Sequence, residues 1–310
     1  MYYLSIIIVN YNTKDFLGRC LESIINNSGD ANCEIIVVDN NSSDNSVSLV
    51  RKSFPTVKLI ENENNLGFGK ACNQGIKASK GNYIILLNSD CEVLKNTLPD
   101  IGQMIKNFDR SKRIGIIGGK ILNPDGTIQY SYGKFPTVYS TILDGFKPPE
   151  RRKVQISGYE TAHNVDWVTG AFMIINRELF NDIGYFDEKY FMYYEETDLC
   201  FRAKAHDWQI KYDPSPQVIH KTPHASKKEN IPFFIQVEIR NSHLYFFRKN
   251  RSYLSFLFIS IASMKLLALK WCIYLFRNVK KRRETSHLIS TVWNTFKELG
   301  ADDYINRSNV

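Results

Sequence analysis

The sequence predicts an α/β protein built on a mixed, mainly parallel sheet flanked by helices, and three observations carry that prediction. Short Ile/Val-rich runs bounded by polar residues recur at 3–9 (YLSIIIV), 34–39 (EIIVVD), 56–61 (TVKLIE) and 82–90 (NYIILLNSD). Such runs suit strands buried on both faces of a parallel sheet. Between them lie stretches with apolar residues at helical spacing, and strand–helix–strand alternation is the pattern of βαβ units. Finally, Asn10, Asp39 and Asp90 each stand where a run ends, the edge at which open parallel sheets bind ligands.

Taken in order, the first run leads into a helix over 15–25, with Phe16, Leu17, Cys20, Leu21 and Ile24 on one face. NSSDNSVSLV supplies cap residues and a second helix after Asp39. LGFGKACNQGIKAS reads as a glycine-opened third helix, and YIILLNSD as a fourth strand. The second half is less regular. RIGIIGGKILNPDGTIQYS reads as short strands joined by a Pro-Asp-Gly turn at 124–126. Residues 133–163, rich in Pro, Gly and charge, read as a mobile loop region. VDWVTGAFMIINRELFNDIG reads as a strand and a helix, and YYEETDLCFRAKAHDW as a further helix.

Composition excludes several classes. An apolar fraction of 43% with 13% aromatic residues suits a packed core rather than disorder. Six cysteines without a CxxC pair read as free thiols in a reducing cytosol, and the first residues lack the basic start of a signal peptide. The net charge of +8 is concentrated: eleven Lys/Arg and no Asp/Glu fall between Arg240 and Arg283. The remainder is slightly acidic, so a general nucleic-acid binder is not expected. No GxGxxG follows the first strand and no P-loop occurs, which argues against a nucleotidyltransferase or a Rossmann dehydrogenase.

The residues able to carry chemistry are Asp39 and Asp90 in the first half, and Glu195, Glu196, Asp198, His220 and His224 in the second. Carboxylate and imidazole can ligate a divalent cation, and such a cation can clamp a diphosphate. Each residue also has a plain role open to it. Asp39 can cap the following helix, as can Asp44; Glu195 and Glu196 can complement a helix N-terminus; Asp198 and Arg202 can form a surface i, i+4 pair.

SIIIVNYNTKDFLGRCLESI, IIVVDNNSSDNS, NENNLGFGKACNQGI, YIILLNSDCEVL, VTGAFMIINRELFNDIGYFDEKYFMYYEETDLCFRAKAHDW and VIHKTPHAS follow one another in the order found in family 2 glycosyltransferases. The chain resembles that family over about 3–250, and most of all its bacterial rhamnosyltransferase-like members. The resemblance implies a GT-A fold in 1–250, with a nucleotide-binding half (1–110) and an acceptor-binding half (111–250). It also implies a nucleotide-sugar donor, a divalent cation (Mn2+ or Mg2+) and inversion at the anomeric carbon. It gives Asp39 the imide N–H of a uracil or thymine ring, and Asn10 and Tyr11 the nucleotide floor. Asn73 supports that pocket or simply packs its helix. Asp90 matches the last acid of the family's DxD motif, which here is NSD, so Asn88 replaces the first carboxylate. His220 matches a second cation ligand, with a buried structural histidine as the rival role. Glu196 matches the base that deprotonates the acceptor hydroxyl, although the family has Asp there. Glu195 orients the acceptor; Trp167 faces it or belongs to the core; Arg240 and Lys249 lie towards acceptor phosphates, or Arg240 only pairs with Glu238 or solvent.

Residues 253–276 (YLSFLFISIASMKLLALKWCIYLF) are long and apolar enough to span a bilayer, but Lys265 and Lys270 interrupt them and RNVKKRRE follows. Residues 251–310 therefore read as a helical, basic extension lying in the membrane interface, or packed on protein, including a second copy of the chain. The expectation is an inverting transferase at the cytoplasmic face of the inner membrane, moving L-rhamnose from dTDP-L-rhamnose to a lipid-linked glycan. The alternatives are a UDP-hexose-dependent transferase of the same fold and a non-catalytic membrane adaptor.

Overall fold

The computed structural model describes residues 3–29, 31–108, 112–146, 158–221, 232–275 and 279–307; His224 lies outside them. The first half alternates as read: β1 (Leu4–Asn10), α1 (Lys14–Asn27), β2 (Cys33–Asp39), α2 (Ser46–Ser53), β3 (Lys58–Glu61), α3 (Phe68–Ala78) and β4 (Tyr83–Asn88). There follow β5 (Cys91–Val93), α4 (Thr97–Lys106), β6 (Ile114–Leu122), β7 (Tyr132–Gly133), α5 (Val138–Phe146), β8 (His163–Asn164), β9 (Trp167–Val168) and β10 (Phe172–Asn176). The chain continues through α6 (Leu179–Ile183), α7 (Glu195–Ala205), β11 (Gln209–His220), α8 (Phe233–Asn250), α9 (Tyr253–Tyr274) and α10 (Val279–Arg307).

Packing divides the described residues into two compact units. The first draws on Met1–Phe135, Val154–Phe191 and Glu195–Pro223; the second on Pro136–Lys153, Met192–Tyr194 and His224–Val310. The first unit holds a sheet ordered β3-β2-β1-β4-β10-β6-β11-β5, with β8 added beside β11. β3, β2, β1 and β4 run parallel, β10 is antiparallel to both β4 and β6, and β11 returns parallel to β6.

Alternation along β1 shows why the apolar runs are continuous. Leu4, Ile6 and Ile8 join one core with Leu17, Leu21, Ile24 of α1 and Leu98, Ile101 of α4. Ile7 points to the other face, among Ala71, Cys72 and Ile76 of α3 and Leu199 and Ala203 of α7. Both faces are covered, so neither set of alternate positions can be polar. Gly75 is part of this fit: a Cβ there would run into the Ile7 side chain.

Two readings of the second half need correction. The span 133–163, read as a mobile loop region, holds α5 (Val138–Phe146) between the short strands Tyr132–Gly133 and His163–Asn164, and its residues 147–157 lie outside the described residues. The amphipathic pattern of VYSTILDGF was obscured by the Pro and Gly around it. The Pro-Asp-Gly turn does fold back the chain, but its second arm is one bridge, Leu122 with Ile128, rather than a strand.

The second unit is helical. α9 and α10 lie antiparallel, tied at one end by Trp271 Nε1 donating to Ser286 Oγ (2.8 Å) and at the other by the Phe256–Phe296 stack. α9 buries Phe256, Ile259 and Leu267 and leaves Leu254, Phe258, Ile261, Leu269 and Ile273 exposed.

Candidate active site

Parallel register sets the carboxyl ends of three strands side by side. Asn10 pairs with Asp39, and Val9 with Asn88. At this edge Asp39 is 2% exposed, and both its oxygens are engaged. Oδ1 accepts from Asn10 Nδ2 (2.8 Å) and Oδ2 from the Ser42 backbone N–H (2.8 Å). Asp44, not Asp39, serves α2: its Oδ1 accepts from Ser46 N (3.1 Å), and its Oδ2 accepts from Lys14 N (2.7 Å). The Ser46 hydroxyl, which also donates to Oδ1, and these backbone bonds hold its carboxyl below the ordinary range against the upward push of burial. The chain of polar contacts continues from Asn10 Oδ1 to Thr13 Oγ1 (2.6 Å) and on to Ser89 Oγ (2.8 Å). Tyr11 stands beside it, half exposed.

Asn73 is a tie rather than a wall of this edge. Its Nδ2 donates to Phe186 O (2.9 Å) and Glu188 Oε1 (3.1 Å), and its Oδ1 accepts from Phe186 N (3.0 Å). The loop before α7 is thereby fixed to α3. A second tie runs through Gly67, whose φ of +82° suits glycine. A Cβ there would collide with the Phe191 carbonyl, to which Phe68 N donates (2.9 Å).

Asp90 follows β4, and His220 ends β11, opposite Cys91 of β5. His220 Nε2 lies 3.1 Å from Asp90 Oδ1 and 3.5 Å from Asn88 Nδ2, while Nδ1 lies 3.2 Å from Gln129 Oε1. Asp90, Cys91 and His220 form a cluster of metal-ligand type. Cys91 fits poorly as a ligand: burial raises its thiol well above the ordinary value, and it donates to Ala171 O. Asp90 and His220 fit well. Two ligands on an octahedral ion with bonds of about 2.1 Å are about 3 Å apart, close to the spacing found.

Glu195 and Glu196 open α7, directly after Tyr193 and Tyr194, which both have positive φ (69° and 68°). Glu195 is 5% exposed. Burial, and then the charge of Glu196, push its carboxyl well above the ordinary range. Burial also lifts Glu196, to about 7, against hydrogen bonds from its own and the Thr197 backbone N–H and from the Glu195 side chain. Oε2 of each carboxyl is buried without a hydrogen-bond partner. Asp198 is not on a helix surface as anticipated. It is fully buried and accepts from Arg202 Nε (2.8 Å), while that guanidinium also donates to the Ile183 and Tyr185 carbonyls. The pair clamps the loop between α6 and α7.

One dipeptide joins the two acidic sites. Ala171 O accepts from Asn88 N (3.0 Å), and a Cβ on Gly170 would lie 3.8 Å from the Cβ of Glu196. Trp167, on β9, is half-buried against Tyr130 and donates through Nε1 to Lys134 O (2.9 Å). Arg240 belongs to α8 in the second unit. Burial, and then the Arg240 charge, hold the imidazole of His243 down to about 4. Sequence reasoning missed Gln129, Ser42 and the left-handed tyrosines, since each owes its place to tertiary register rather than to a local pattern.

Comparison with known proteins agrees with this architecture. The chain is 27% identical over 245 residues to N-acetylglucosaminyl-diphospho-decaprenol L-rhamnosyltransferase of Mycobacterium tuberculosis, covering 73% of this chain and 78% of that one. It is 30% identical over 252 residues to the low-salt glycan biosynthesis hexosyltransferase Agl10 of Haloferax volcanii, covering 78% and 74%. The crystal structure of GalNAc-T7 with UDP, GalNAc and Mn2+ superposes with a TM-score of 0.58 at 15% identity. That match covers 97% of this chain and 57% of GalNAc-T7, and it shows the shared GT-A fold. Residues 5–184 match Glycosyl transferase family 2, so the chain belongs to that family and is a glycosyltransferase.

Proposed function

We propose that this transferase moves a sugar, L-rhamnose from dTDP-L-rhamnose in the first instance, onto a hydroxyl of a lipid-linked glycan, with inversion, in the synthesis of cell-surface glycan. The observation that carries the reading is the Gly170–Ala171 dipeptide, with the Asn88–Asp90 strand end on one side and Glu196 on the other. The relatives named as an L-rhamnosyltransferase and a glycan hexosyltransferase support the substrate class.

In this reading Asp39, held by Asn10 and Ser42, keeps acceptor lone pairs for the imide N–H of a pyrimidine. Asn10 and Tyr11 floor the nucleotide. Asp90 and His220 hold a divalent cation, and imidazole ligation favours Mn2+ over Mg2+. When bound, the cation supplies positive charge to the departing diphosphate. Asn88 adds an amide within reach of the same ring. Glu196 takes the proton of the acceptor hydroxyl as its oxygen bonds to the anomeric carbon. The bond from that carbon to the diphosphate oxygen breaks in the same displacement, which inverts the centre. Glu195 and Trp167 serve the acceptor side. UDP-hexose is the second donor, since uracil presents the same imide edge and one relative is named a hexosyltransferase.

We propose further that the second unit holds the enzyme to the cytoplasmic face of an anionic membrane. The exposed stripe Leu254, Phe258, Ile261, Leu269 and Ile273 includes Lys265 at its middle. α10, antiparallel beside it, carries Lys280, Lys281, Arg282, Arg283 and Glu284. A spanning α9 would carry Lys265 into hydrocarbon, whereas a helix lying in the interface immerses the apolar stripe and lets Lys265 and the basic run at the end of α9 reach the headgroups.

The test of the chemistry is Glu196→Gln, isosteric and unable to accept the proton. Turnover of the nucleotide sugar is expected to fall 100-fold or more with donor binding by calorimetry retained. Transfer near the wild-type rate would remove Glu196 as the base.

A further inference from the structure

We propose that Gln129 is a positioning residue for His220, fixing the imidazole so that its Nε2 lone pair meets the cation beside Asp90; this rests on the cation reading above. Both residues hang from the end of β6. Ile219 of β11 pairs with Leu122, which sets His220 just beyond it. Gln129 returns along the other side through its backbone N–H to Ile121 O (2.8 Å). The return is firm because the turn closes on itself, Asn123 N donating to Thr127 O (2.7 Å) and Asp125 Oδ1 accepting from Thr127 N (3.0 Å) and Oγ1 (2.6 Å).

The consequence lies in the ring. Gln129 Oε1 can only accept, so at 3.2 Å from Nδ1 it selects the tautomer with its proton there. Nε2 is then an acceptor, 3.1 Å from a second acceptor, Asp90 Oδ1. A divalent cation placed between the two would answer both lone pairs. The amide N–H of Asn88, 3.5 Å from Nε2, suits the same tautomer. A histidine ligand whose other nitrogen is held by an outer hydrogen bond keeps its orientation, and loss of such a bond typically weakens metal affinity 10–100-fold.

Two readouts test this on the full chain. With a diamagnetic divalent cation and dTDP bound, 15N NMR of His220 is expected to show its proton on Nδ1, and Gln129→Leu to lose that preference. An Nε2–H tautomer in the wild type would overturn the proposal whether or not any variant folds. Calorimetric titration with MnCl2 in the presence of dTDP, and separately UDP, should show Gln129→Leu 10–100-fold weaker than wild type. Gln129→Glu, a stronger acceptor at the same place, is expected to bind Mn2+ at least as tightly as wild type. Equal uptake of Mn2+ by wild type and Gln129→Leu would end the role of Gln129 alone. Absence of uptake in the wild type would end the cation reading and this role with it.

Discussion

Glu195 is buried and Glu196 half-buried beside it, and their proton balance governs both rate and stability. Glu196 titrates near 7 because burial disfavours its charge. If it is the base, kcat/KM should fall about tenfold per pH unit below that value and level off above it. A profile flat from pH 5 to 8 would contradict the assignment. The same shift acts on folding. A carboxyl whose folded value is raised from 4.5 holds its proton longer in the native state. Stability therefore falls as pH rises from about 4.5 through 7. Glu195→Gln removes a second carboxyl that burial raises well above its ordinary range and should raise Tm at pH 8 more than at pH 5, which differential scanning calorimetry would show. Asp198 contrasts with this pair, since Arg202 compensates its charge. Removing one partner of such a buried pair costs about 3–5 kcal/mol, so Asp198→Ala should lower stability by about that much in urea unfolding.

At the scale of elements, the site is held by loops tied to α3 and by strand ends brought level by register. Gly67 makes one tie, and no side chain fits there. Gly67→Ala should cost about 1–3 kcal/mol from the backbone conformation alone, before any shift of Phe191, and the loss should appear in thermal unfolding. Much of the framework was legible in the chain. β1 to β4 and their helices follow from runs such as SIIIV and EIIVVD, because burial on both faces leaves a continuous apolar signature. Asn10, Asp39 and Asp90 were visible as interruptions of those runs. The second half was harder because β7, β8 and β9 have only two residues each and α5 lies among prolines. What no local pattern carried was partnership. Asp198 looked like half of a surface pair because i, i+4 spacing says nothing about which face is buried. Gln129 looked like any hairpin residue until the pairing of β6 with β11 put His220 beside it.

For the molecule as a whole, the expected preference is for pyrimidine nucleotides. Thermal shift with dTDP-, UDP- and GDP-sugars should show stabilisation by the first two, and Asp39→Asn should weaken both. A GDP preference would remove Asp39 from base recognition. The proposed membrane attachment makes its own demand: vesicles containing phosphatidylserine should float the protein, less so with Phe258→Glu or in 0.5 M salt. Neutral vesicles should float little, since each basic residue near an anionic surface contributes about 1 kcal/mol. The distribution of sulfur atoms bears on how this is measured. Cys20, Cys72, Cys91 and Cys200 are sealed in the core, Cys33 is half-covered, and Cys272 is open to solvent on α9. A polarity-sensitive maleimide dye would therefore couple first at Cys272, where its blue shift on adding liposomes would gauge immersion depth in the unmutated enzyme.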